Sequence, residues 1–168
     1  MNKLILILSL FISQLLLAQV GIDVIKKSPR IVYGLWKISE VEKKLQLQKF
    51  NHKIRFNYKP GVKESFTITT DKNETLIEGN DDTGILYGCL EFASQLHKLK
   101  AYPKTLNISD APEMVLRGQC IGLQKSTYLP GRAVYEYPYT PETFPWFYDK
   151  KLWLRVLDSM LENRMNSL

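Results

Sequence analysis

Two short segments near the C-terminus constrain this chain more than its composition does. Met114-Val-Leu-Arg117-Gly118-Gln-Cys-Ile121 is an apolar run with the character of a buried strand, and Lys151 to Leu161 carries helical periodicity. Arg164 to Leu168 then begins a second strand. Strand, helix and strand in that order form the unit from which a parallel (β/α)₈ barrel is wound. A closed barrel takes roughly 250 residues, and only about fifty follow Arg117. Residues 110–168 are therefore expected to be the truncated start of a barrel, and the chain the front of a larger protein.

At the other end, Met1-Asn2-Lys3 supplies one positive charge. Leu4 to Leu17 follows as an apolar run broken by Ser9, Ser13 and Gln14. This is the layout of a secretory signal peptide over residues 1–19, with Ala18 before the cut. A membrane span would need about 20 predominantly apolar residues, so no stable span is expected once the signal is removed. The expected localisation is secreted or periplasmic. What remains is enough for one compact domain and a fragment.

The net charge of +6 comes from lysines and arginines spread along the chain. The densest group, Lys43, Lys44, Lys49, Lys53, Arg55, Lys59 and Lys63, spans a predicted helix and strand and reads as a solvated face; a secreted chain rarely meets nucleic acid, and no nucleic-acid partner is expected. An exported compartment would permit a disulfide, but Cys89 falls on the apolar face of a helix and Cys120 in an apolar strand, which reads as two buried free thiols. His52 and His97 have no ligand at a metal-binding spacing, so neither a metal nor a cofactor is expected.

Between the two ends, Leu35, Ile38, Val41 and Leu45 recur at helical spacing, predicting a helix that starts near Gly34 or Ser39. Lys53 to Tyr58 and Glu64 to Thr70 alternate polar and apolar residues, and Thr75 to Glu78 completes a hairpin across Asp71–Glu74. Asp81-Asp82-Thr83 supplies N-cap side chains. Ile85, Leu86, Cys89, Leu90, Ala93, Leu96 and Leu99 then mark the clearest amphipathic helix, over 83–99. Lys104 to Ile108 returns as a strand. Helix, three strands, helix, strand predicts an α+β fold over residues 20–109, a small sheet with two helices on one face.

Tyr128 to Asp149 is rich in proline and aromatic residues, including Pro130, Tyr135, Tyr137, Tyr139, Phe144, Trp146, Phe147 and Tyr148. It follows the first barrel strand, where barrel loops build binding sites. Aromatic faces suit the apolar C–H faces of sugars, so Trp146 is a candidate substrate-binding residue. The same rings could instead pack the loop onto the body of the protein.

Gly79-Asn-Asp-Asp-Thr-Gly84-Ile-Leu-Tyr87-Gly88-Cys-Leu-Glu-Phe-Ala-Ser-Gln-Leu96 resembles the last helix of the α+β domain that precedes the barrel in glycoside hydrolase family 20 β-N-acetylhexosaminidases. Family 67 α-glucuronidases carry a related domain. Ile108-Ser-Asp110-Ala-Pro112 with Arg117-Gly118 resembles the start of the family 20 barrel, and Leu161 to Leu168 its second strand. The resemblance implies a secreted hydrolase of glycans in which Arg117 grips sugar hydroxyls through its planar fork of donors; the alternative is that Arg117 pairs with a carboxylate at the base of the barrel. Gly122 and Lys125 stand where the family usually has an aspartate and an arginine.

The resemblance further implies an acidic group, an aspartate followed by a glutamate, on a later strand. No Asp-Glu dipeptide occurs in the chain. Glu136, Glu142, Asp149, Asp158 and Glu162 are the carboxylates of the barrel portion, and none is assigned as catalytic acid, base or nucleophile. The alternatives are an α-glucuronidase-like or other carbohydrate-active enzyme, or a non-catalytic carbohydrate-binding or scaffolding module.

Overall fold

The structure is a computed structural model that describes residues 28–47, 52–122, 140–142 and 144–168. It contains two compact units, Met1–Glu113 and Met114–Leu168. The expected signal peptide lies outside the described residues.

The first unit runs α1 (Pro29–Lys44), β1 (Lys53–Tyr58), β2 (Phe66–Asp71), β3 (Glu74–Gly79), α2 (Asp82–Leu99) and β4 (Thr105–Asp110). The four strands form one sheet in the order β1-β3-β2-β4, with β1 parallel to β3 and the other two pairs antiparallel. This is the α+β fold expected from the order of elements.

Alternation along the strands selects the buried face, because successive side chains point to opposite sides of a sheet. Register places Phe56, Ile77, Ile68 and Ile108 in one row across all four strands. The neighbouring row is Ile54, Thr75, Thr70 and Leu106. The opposite face is polar, with Arg55 bridging Glu74 at 3.0 Å and Asn57 bonding Glu78 at 3.2 Å. Both contacts are exposed and contribute little to stability.

Helix α2 packs on β2 and β3, and α1 packs on α2. Asp81 caps α2 by accepting from the Gly84 amide at 2.8 Å, and its other carboxylate oxygen accepts from the Glu64 amide at 3.1 Å. One aspartate thus fixes both the start of the helix and the turn before β2. The helix ends when Lys100 adopts a left-handed conformation with φ 55°, two residues before the Tyr102-Pro103 pair taken from sequence as its stop. Ile85, Cys89, Phe92 and Leu96 are fully buried. Leu90, expected on the apolar face, is half-buried, and Phe92, which the apolar spacing had left out, is fully buried.

Helix α1 begins at Pro29, earlier than either Gly34 or Ser39. Ser28 accepts from the Ile31 amide and Pro29 occupies the first turn, where its missing N–H costs nothing. The buried stripe is Ile31, Gly34, Ile38 and Glu42. Two of these four are not apolar, which is why the apolar spacing alone misplaces the start.

Gly34 and Gly88 mark close approaches. A Cβ at Gly34 would lie 2.7 Å from Cys89 Cβ, and one at Gly88 would lie 2.5 Å from Ile77 Cγ2. Gly34→Val should therefore lower stability by about 1–3 kcal/mol through overpacking, although valine is no worse than glycine as a helix former. Phe92→Ala should cost about 3–5 kcal/mol through the cavity it leaves. Urea unfolding of the two variants measures both losses.

Candidate functional site

The expected site residues belong to the second unit, which contains an isolated bridge, a 3-10 turn over Pro145–Tyr148 and α3 (Lys150–Glu162). Asp149 caps α3 by accepting from the amides of Lys151 and Leu152. Phe144 is buried and Met160 is the buried residue of the helix.

The expected buried strand over 114–121 takes a different form. It meets the 164–168 segment in a single parallel bridge, Gly118 to Ser167. Met114, Val115 and Leu116 are 66%, 86% and 72% exposed. Cys120 is exposed as well, so of the two thiols only Cys89 is buried. A parallel strand is covered by neighbouring strands and by crossover helices on its faces. Among the described residues of this unit, one bridge and one helix are too few to cover it.

Where the two segments meet, side chains supply what the short ladder lacks. The Arg117 amide donates to Asn166 Oδ1 at 2.9 Å, and Asn166 Nδ2 donates to the Val115 carbonyl at 2.8 Å. The Arg117 carbonyl accepts from the amides of Asn166 and Ser167. Arg117 itself donates through Nε to the Arg164 carbonyl at 2.8 Å and through Nη1 to the Met114 carbonyl at 2.6 Å. Part of the guanidinium fork therefore holds main chain of both segments. Gly118 follows because a Cβ there would strike the Ser167 carbonyl.

Trp146 lies in the 3-10 turn, half-buried, as one member of an aromatic cluster. Its ring is edge-on to Phe147 at 6.0 Å and tilted against Trp153 at 6.2 Å, while Phe147 is edge-on to Tyr148 and Trp153. Trp153 Nε1 donates to the Phe147 carbonyl at 2.7 Å, which fixes the indole. Phe147 and Tyr148 remain exposed. Arg117 and Trp146 thus belong to separate clusters in the same unit. A cleft of about 240 Å³ in the same unit is lined by Gln119, Arg155, Ser159, Met160, Asn163 and Met165.

The carboxylates have varied surroundings. Glu142 is held below the ordinary carboxylate range by a hydrogen bond from Thr140 and by its own backbone amide, which favours the charged form. Asp149 serves as a helix cap. Asp158 and Glu162 are exposed on α3, and Glu136 lies outside the described residues. Among the described residues there is no group of three or more His, Cys, Asp or Glu able to hold a metal ion, and no helix is long and apolar enough to cross a membrane.

No family model matches the chain, and neither does any curated protein. A solved structure does. It is described as a GH138 enzyme targeting pectin rhamnogalacturonan II, and it is 45% identical with a TM-score of 0.71 over 85% of this chain. The fold described above is therefore shared with a segment of a glycoside hydrolase. This chain spans 17% of that enzyme's length.

The Asn166 clamp is a feature that sequence reading did not single out. Asn166→Ala should remove two inter-segment hydrogen bonds, each contributing about 0.5–1.5 kcal/mol. Asn166→Asp should lose only the bond to the Val115 carbonyl. Hydrogen exchange at the Arg117 and Gln119 amides should accelerate in that order, with the alanine variant fastest.

Proposed function

We propose that this sequence is the N-terminal part of an exported glycoside hydrolase that degrades a pectic polysaccharide. The observation that carries the reading is the 45% identity to an enzyme described as targeting pectin rhamnogalacturonan II. In this reading the α+β unit is a non-catalytic support, residues 110–168 open a (β/α)₈ barrel, and residues 1–19 direct export. The exposed apolar run at Met114, Val115 and Leu116 supports the barrel assignment, because further strands and helices would bury it.

A β-hexosaminidase type of activity is a finer reading that competes with the pectic one, and it rests on the resemblance of the Gly79–Leu96 and Arg117-Gly118 stretches to family 20. The similarity to the GH138 enzyme lends no weight to that type or to the family 67 alternative. Arg117 as a sugar ligand belongs to the same finer proposal. It would have to combine that contact with the carbonyl bonds its Nε and Nη1 already make. Trp146, with the exposed rings of Phe147 and Tyr148 beside it, is proposed as a stacking surface for sugar rings.

Hydrolysis of a glycosidic bond needs an acid and a partner group held around it. On this reading the 168-residue chain should release no sugar from rhamnogalacturonan II, whereas a polypeptide that continues through the whole barrel should release it. The reading frame beyond Leu168 should encode further alternating strands and helices. A complete barrel that cleaves aryl N-acetylglucosaminides and leaves rhamnogalacturonan II intact would replace the pectic reading with the hexosaminidase one. Inactivity toward both would overturn the proposal.

A further inference from the structure

The α+β unit contains a chain of polar contacts, part-buried at His52 and Tyr102 and fully buried at Thr70 and Thr75, that has no part in the proposed sugar chemistry. Glu42, buried in the last turns of α1, accepts from the Tyr102 hydroxyl at 2.6 Å. The Tyr102 ring lies flat on the His52 imidazole, with centroids 4.3 Å apart and planes 10° from parallel. His52 Nε2 hydrogen-bonds Thr75 Oγ1 at 2.8 Å, and Thr75 Oγ1 hydrogen-bonds Thr70 Oγ1 at 2.7 Å. The Phe92 ring of α2 lies 6.2 Å from the imidazole by centroids, with the planes 23° apart. Thr70 and Thr75 are both fully buried.

This chain of contacts ties together five places in the fold. They are the end of α1, the residue preceding β1, the middle of the sheet, the core face of α2 and the segment between α2 and β4. The imidazole sits at the centre of the five. We propose that the Glu42–Tyr102–His52–Thr75 chain is an acid-sensitive latch, which holds the end of α1 and the start of β1 on the sheet while the imidazole is neutral and loosens them when it takes up a proton.

The groups facing His52 decide the sign. Phe92 and the two threonines are uncharged, and the Tyr102 hydroxyl is kept protonated because burial and the Glu42 carboxylate push its ionisation far above the ordinary tyrosine range. Burial pushes the imidazole below its ordinary value of 6.5, and the Glu42 carboxylate opposes that shift only in part. The unfolded chain therefore takes up the proton at a higher pH than the folded chain. Stability is fully present above the unfolded value and is lost as pH falls through it, levelling off below the folded value.

The test is thermal unfolding of the 168-residue chain between pH 7.5 and 5.5, alongside His52→Gln and Glu42→Gln. Glutamine at 52 keeps a polar group for Thr75 but cannot be charged. The unmodified chain should lose melting temperature as pH falls over this range, and His52→Gln should lose much less. Glu42→Gln keeps an acceptor for Tyr102 and removes the opposing charge, so its loss should be larger than that of the unmodified chain. A flat profile in the unmodified chain, parallel losses with and without His52, or a smaller loss in Glu42→Gln would each overturn the latch. If His52→Gln does not fold, NMR titration of the imidazole C–H in the unmodified chain decides, with the two signals assigned through His97→Gln. A His52 midpoint below 6.5 supports the proposal, and one at or above that value removes it.

Discussion

The closeness of α2 to its two neighbours is the constraint on which the α+β unit depends. Gly88 and Cys89 are adjacent in sequence, and about 100° apart around a helix. Gly88 lets the backbone approach Ile77 of β3, while Cys89 seats against Gly34 of α1. One helix turn thus sets the spacing to the sheet and to the other helix together. Burial beneath it leaves the Cys89 thiol strongly resistant to ionisation, which suits a packing role and not a reactive one. Asp81 then fixes where that helix begins, by capping it and holding the Glu64 turn at the same time.

The second unit rests on a different balance. Its two chain segments meet at one bridge and are held by Arg117 and Asn166 side chains that bond main-chain groups across the gap. The apolar residues next to that clamp are exposed, although hydrophobic burial is the main favourable term in folding. Local polar contacts hold the geometry there, whereas packing holds it in the first unit. The same sequence pattern, an apolar strand and an amphipathic helix, therefore has a different outcome depending on what is present to cover it.

The α+β architecture was legible because its strongest signals are local. Ile85, Cys89 and Leu96 repeat at helical spacing, and Phe66, Ile68 and Thr70 alternate along a strand. The start of α1 was not legible, because its buried stripe includes Gly34 and Glu42, which no apolar template selects. The partners of Glu42 and His52 were hidden for another reason. Tyr102 is sixty residues from Glu42 and Thr75 is twenty-three from His52, so only the fold brings them together. Arg117 was legible as a special residue from its Arg-Gly context. Its bond to the Arg164 carbonyl depends on where two segments forty-seven residues apart meet, and sequence spacing carries no such information.

The α+β unit carries a core of its own, whereas the described residues of the 114–168 unit bury few apolar side chains. Native-state hydrogen exchange on the 168-residue chain tests this contrast residue by residue, because protection reports the free energy of local opening. The amides of α2 and β3 should be the slowest to exchange, and those of residues 114–119 and α3 should exchange at least about 100-fold faster. Equal protection across both sets, lost together as denaturant is added, would mean that the chain folds as one cooperative body and would contradict the account.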